Sequence, residues 1–267
     1  MLTRIITAIV SLIVFIGLIA AGETVFSIGV GVIVFCMLYE TFTAMTKSTA
    51  VKISGYITGA VMALGIVIGN VEMAVVLSII VAMVFLIFMH GNIKYTELFS
   101  VQFMAVYITL FMSYIPKMYI EMGLVFMALI FIIAWGSDTA AYFCGTFFGK
   151  HKLIPKVSPK KTVEGSVGAV VCTALLCALY MFILDKCGVA FITATCDAYI
   201  KIAAVGLFAS ALSQLGDLGA SAIKRDADIK DYGKIFPGHG GFMDRFDSVL
   251  YISPIVYYLC AIFALAV

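Results

Sequence analysis

The chemistry in this 267-residue chain gathers near its C-terminal end, in the stretch SAIKRDADIKDYGKIFPGHGGFMDRFDS, residues 221–248. Within it, Pro237, His239 and closely spaced glycines precede Asp244, Arg245 and Asp247. Asp244 and Asp247 stand at i and i+3, so a helix starting here lets both carboxylates face one cation. Oxygen-only ligands suit Mg²⁺, which takes one or two protein carboxylates together with phosphate oxygens and water. Gly240 and Gly241 allow backbone amides to approach a phosphate closely. His239 reads equally well as a loop-capping residue and as an acid or base. A charged loop of both signs can be merely solvated, but the glycine density and two further polar clusters argue otherwise.

The second cluster is SQLGDLGASAIKR, residues 213–225. Helical spacing puts Ser213, Asp217, Ser221 and Lys224 or Arg225 along one side, and Gly216, Gly219 and Ala220 leave room for something bulky. Asp217 suits a metal ion bridging a phosphate; the bland alternative is an ion pair to Lys224 or Arg225, which would have to span two turns. The third cluster, WGSDTAAYFCGTFFGKHKLIPKVSPKKTVEG, residues 135–165, holds Asp138 inside an apolar run. An unpaired carboxylate there costs about 2.5 to 3.5 kcal/mol on insertion scales. A loop lysine, a bound cation or exposure in a water-filled mouth would offset it. In SPKKTVEGS, Ser158, a proline turn, Lys160 and Lys161 lead to Thr162, which is placed to cap the next helix. Its amides and the two lysines would form an electropositive cup for phosphate, although alone the lysines read as membrane-side anchors.

The elements that must position these residues are apolar. The chain is 63% hydrophobic and 12% charged, with mean hydropathy +1.14, whereas soluble domains carry roughly a quarter charged residues. A soluble domain is excluded, and an all-α polytopic membrane protein is expected. Apolar runs of the ~20 residues a bilayer core requires lie near 4–21, 24–46, 53–70, 73–90, 98–115, 122–145, 164–184, 199–222 and 246–266, which predicts about nine transmembrane helices. The first run has one leading Arg4 and no clean cleavage site, so it reads as a retained helix. With the N-terminus in the cytoplasm, of 17 Lys and Arg only Lys117, Lys186 and Lys201 fall outside the cytoplasmic loops. The positive-inside rule reads that asymmetry as N-in/C-out, with all three polar clusters on the cytoplasmic face.

Residues 1–120 read as N-terminal transmembrane helices for packing and a lipid cavity, with Gly55, Gly59, Gly65 and Gly69 suiting close helix approach. Residues 121–267 read as the catalytic region. Cys187 and Cys196 share the predicted outer loop and are able to pair; the other five cysteines fall in spans, and no Cys/His metal spacing occurs. Nucleic acid is not an expected partner, and a homodimer is compatible with the sequence. A transporter or channel is the non-enzymatic rival, but its polar residues should run through the depth of the bilayer rather than collect at one face.

Residues 221–248 closely resemble the signature of the phosphatidate cytidylyltransferase (CDP-diglyceride synthase) family, with Ser221, Lys224-Arg225, Lys230-Asp231, His239-Gly240-Gly241 and Asp244-Arg245-x-Asp247 in order. SDTAAYFCGTFFGKHKL and SPKKTVEGS also look like that family. The likeness is strong over 135–248 and weak before it, and Tyr232 and Lys234 depart from the usual pattern. The resemblance implies that phosphatidic acid attacks the α-phosphorus of CTP, giving CDP-diacylglycerol and pyrophosphate for phospholipid biosynthesis. The compact chain with no large soluble extension reads as a protein of a bacterial inner membrane, a eukaryotic organelle being the alternative. The resemblance also implies roles. Asp217, Asp244 and Asp247 would hold Mg²⁺, alone or with a second cation. Lys160, Lys161, Lys224, Arg225 and Arg245 would neutralise phosphates, and Asp138 would order a lysine or a metal-bound water. Ser158, Thr162, Ser221, His239, Gly240 and Gly241 would contact substrate. The alternative enzyme is a CTP-dependent kinase of a polyprenol or other lipid alcohol, which needs a base for a neutral hydroxyl.

Overall fold

Long apolar runs closed by capping residues dictate helices, and the computed structural model has nine of them among its described residues, which are 2–189, 195–233, 235, 240–263 and 265. They are α1 (Leu2–Ala20), α2 (Glu23–Met45), α3 (Thr49–Ile68), α4 (Val71–Phe88), α5 (Tyr95–Met122), α6 (Leu124–Phe148), α7 (Val163–Lys186), α8 (Cys196–Asp226) and α9 (Met243–Ile262). Seven, α2 to α8, are long and apolar enough to cross a membrane. The apolar part of α1 is shorter, Ile9–Ala20, and α9 opens on Asp244, Arg245 and Asp247.

Side-chain caps set several boundaries by satisfying amides that have no intrahelical partner. Asn70 accepts from the Met73 amide at 3.1 Å to start α4, and Thr162 accepts from the Gly165 amide at 3.2 Å to start α7, as its sequence position predicts. Gly69 differs from expectation. It has φ +75° and closes α3, so it serves a left-handed helix end rather than helix contact, whereas a Cβ at Gly55 would run into Phe42. Ile9 and Ile13 of α1 and Ile80 and Ile87 of α4 are exposed, the outward apolar face that lipid, not water, favours.

The sequence also conceals a β-hairpin. Strand β1 (Lys152–Ile154) pairs antiparallel with β2 (Ser158–Thr162), Lys152 opposite Thr162 and Ile154 opposite Ser158. The expected proline turn at Pro159 is thus a strand. A two-stranded hairpin has only edges, where a proline's missing N–H is tolerated. The seven cysteines are all unpaired, Cys187 and Cys196 included.

The chain divides into two compact units, Met1–Pro116 with Asp226–Phe246, and Lys117–Arg225 with Asp247–Val267. Residues 226–246 therefore cluster with the N-terminal helices. In the first unit, Phe26, Met37, Phe42, Met62 and Met104 form the core. Gln102 of α5 donates to Ser54 and Thr58 of α3, each at 3.3 Å. In the second unit, α6 and α7 meet along small residues: a Cβ on Gly165 would lie 2.8 Å from the Ala141 carbonyl oxygen and 3.0 Å from Gly145 Cα. Ser137 of α6 and Ser210 of α8 share a buried hydrogen bond at 2.8 Å.

Candidate active site

The second unit's polar residues are assembled from its hairpin and four helices, α6 to α9. Glu164, in the first turn of α7, accepts from the backbone amides of Lys150 at 3.0 Å and His151 at 3.2 Å, and its Oε1 lies 2.6 Å from His151 Nδ1. Together with the Thr162 cap, this anchors both ends of the hairpin to one helix start. Lys160 and Lys161 leave β2 beside that start. Lys160 is exposed, whereas the Lys161 ammonium is buried and ion-pairs with Asp217 of α8. The partner of Asp217 is therefore a lysine 56 positions away rather than Lys224 or Arg225. The Arg225 Nε donates instead to the Val157 carbonyl at 3.5 Å, at the hairpin turn.

Asp138 has the polar surroundings its cost demanded. Ser248 of α9 donates to its Oδ2 at 3.2 Å, and it lines a cavity of about 340 Å³ with Tyr142, Lys160, Lys161, Thr162 and Asp217. Gln214 also reaches this cavity, its amide tied to the Ser166 carbonyl at 3.2 Å. Gly216 explains how α9 comes so near: a side chain there would collide with Tyr251 and approach the Asp247 carbonyl to 3.3 Å. Asp247 accepts from the Ser248 amide at 2.8 Å and feels the charges of Asp217, Lys224 and Asp138.

Of the residues expected from sequence, Asp138, Lys160, Lys161, Thr162 and Asp217 thus surround one cavity, with Asp247 in electrostatic range. Ser158 sits at the start of β2, and Ser221 on α8 beyond Asp217; neither lines that cavity. Gly240, Gly241, Asp244 and Arg245 belong to the first unit. There Asp244 Oδ2 accepts from the amides of Tyr232 at 2.8 Å and Gly241 at 3.1 Å, so it shapes its own loop. His239 lies outside the described residues.

Among the described residues no three His, Cys, Asp or Glu side chains converge to hold a metal unaided. Asp217 and Asp247 nevertheless supply hard oxygens in one unit, the donor chemistry of a Mg²⁺ ion completed by substrate phosphate and water. The buried ammonium of Lys161, held to a carboxylate at the cavity wall, is equally a counter-charge for a phosphate oxygen.

The model of the cytidylyltransferase family matches residues 2–263. The chain belongs to that family. It is 30% identical over 274 residues to the phosphatidate cytidylyltransferase of Bacillus subtilis (strain 168), covering 98% of each chain. To the enzymes of that name from Staphylococcus aureus (strain COL) and Staphylococcus saprophyticus it is 31% and 33% identical, covering 96% of this chain and 97% of each relative. The similarity to these cytidylyltransferases therefore extends through the N-terminal helices, where motif reading found little.

Sequence reasoning missed two contributors. Ser248 carried a signal, because it follows Asp247 directly and a hydroxyl beside a membrane carboxylate is a natural donor. Glu164 carried one too, standing two residues after a capping threonine in a helix's first turn.

Proposed function

We propose that this cytidylyltransferase-family chain transfers the cytidylyl group of CTP to phosphatidic acid, forming CDP-diacylglycerol and pyrophosphate. The observation that carries the reading is the cavity where Lys160, Lys161, Asp138 and Asp217 meet at the start of α7. Phosphate is its natural occupant, since two cations, a helix N-terminus and a capped turn all favour anions there. The lipid phosphate is already ionised near neutral pH, so its oxygen attacks the α-phosphorus without a strong base. The bond to the bridging oxygen breaks, and that oxygen leaves with pyrophosphate.

Catalysis then rests on positioning and charge neutralisation. Lys161 exchanges its Asp217 partner for a phosphate oxygen, while Lys160 and Arg225 neutralise the rest of the triphosphate. Asp217 and Asp247 would hold Mg²⁺, and a bound Mg²⁺ would offset charge on the leaving group. Asp138, oriented by Ser248, keeps the lysine ammonium in place when Asp217 turns away. The fully extended reading has nine spans, an N-in/C-out arrangement and a cytoplasmic mouth in a bacterial inner membrane, with acyl chains staying in the bilayer. Its support is the distribution of Lys and Arg and the bacterial relatives.

The test is turnover by purified protein in detergent with CTP and, in parallel reactions, phosphatidic acid or a polyprenol as acceptor, with and without Mg²⁺. CDP-diacylglycerol and pyrophosphate in equal amounts, only with the metal, is the expected result. CDP with a phosphorylated lipid alcohol as the only product would move the chain to the lipid-kinase reading, and no turnover with either acceptor would favour the transporter.

A further inference from the structure

Glu40 is a carboxylate in the apolar helix α2, only 3% exposed. It lies five residues before the helix ends. Packing alone does not require an acid there. Its Oε2 accepts from the Met243 amide at 3.1 Å, a contact spanning 203 residues within the first unit. Met243 is the first residue of α9, so Glu40 supplies from a distant helix the acceptor that an N-cap residue normally provides. Its Oε1 is buried and has no hydrogen-bond partner among the described residues. The carboxylate fits only because two signature positions are glycine: a Cβ on either Gly233 or Gly241 would collide with it. Asp244 also accepts from the Tyr232 and Gly241 amides.

We propose that Glu40 is a positioning residue for cytidylyl transfer. It holds Gly233 and Gly241–Met243 in place and sets the first turn of α9, the helix that carries Asp247. Gly233 and Gly241 are glycine to admit a carboxylate of the protein itself. The catalytic part of this inference rests on the reaction proposed above; the clamp does not.

The test compares the parent with Glu40→Ala, Glu40→Gln, Gly241→Ala and the double variant Glu40→Ala/Gly241→Ala. Amide hydrogen exchange and CTP kinetics in detergent are the two readouts. Glu40→Ala should lower kcat about 10- to 100-fold, the scale on which small misplacements act, with KM for CTP nearly unchanged. Faster exchange should be confined to Tyr232 and Gly241–Asp244, with α6 to α8 exchanging as in the parent. Glu40→Gln, which keeps one acceptor oxygen, should fall between Ala and parent in both readouts. Gly241→Ala should show the same local signature, and the double variant should be no worse than the poorer single.

Parent-like kcat and exchange in Glu40→Ala would overturn the proposal. So would losses that multiply in the double variant, or a uniform rise in exchange with unchanged kcat per folded molecule. If the parent itself lacks CTP turnover, the reaction is wrong, yet local exchange in the variants still decides whether the clamp exists.

Discussion

Lys161 and Asp217 form the interaction on which the residue-level account turns. Removing one partner of an ion pair whose ammonium is buried leaves an uncompensated charge and is destabilising. Lys161→Ala should therefore reduce activity more than Lys160→Ala, because the Lys160 side chain is exposed while the Lys161 ammonium is buried. Steady-state kinetics on both variants, with melting temperature as a control, checks this; equal effects would mean the lysines act only as diffuse positive charge. Asp217→Asn and Asp247→Asn remove charge without volume, and each should lower kcat about 100- to 1,000-fold; the melting temperature should fall in Asp217→Asn, which leaves the Lys161 ammonium without its counter-charge, and change little in Asp247→Asn. Near-parent rates for both at saturating Mg²⁺ would remove them from the metal site. His239→Ala should be milder than either, since the attacking phosphate needs no deprotonation. The identities of these residues were legible in the sequence, but the pairing was not. Which lysine meets Asp217 depends on how a hairpin folds back on a helix start, and one-dimensional spacing does not encode that.

Among elements, the α6–α7 seam and the hairpin set the site. At Gly165 a methyl group would press on backbone atoms that cannot rotate away, so Gly165→Ala should destabilise the second unit by about 1 to 3 kcal/mol. Gly219 makes the contrasting case, because a Cβ there meets nothing within 4 Å. Gly219→Ala should leave thermal stability unchanged or slightly raised, by about 0.5 to 1 kcal/mol. Thermal unfolding of the two variants in detergent tests both, and a reversed order would contradict the seam. The helices were readable from apolar runs, since length and composition suffice for a bilayer span, although α5 runs on to Met122, past the expected end at 115. The hairpin was not readable, because Lys152–Thr162 is short, charged and contains Pro155 and Pro159, the composition of a loop. Glu40 was hidden differently: the residue was visible, but its partner lies 203 positions away.

For the whole molecule, the distribution of Lys and Arg predicts that the hairpin and the end of α8 share the cytoplasmic side. Cys187 and Cys196 are exposed natural thiols on the opposite side in that reading. A membrane-impermeant maleimide added to spheroplasts should label them, while a cysteine introduced at Lys156 should react only after permeabilisation. The reverse pattern would invert the topology and move the cavity to the outer face.

Which phosphorus of CTP reaches the lipid separates the proposed reaction from its nearest chemical rival. The measurement is transfer of label from CTP carrying ³²P at the α or at the γ position, in parallel reactions with phosphatidic acid and with a polyprenol. The account predicts that α-label enters the lipid fraction with phosphatidic acid and that γ-label is released as pyrophosphate. Transfer of γ-label to lipid with no incorporation of α-label would contradict it.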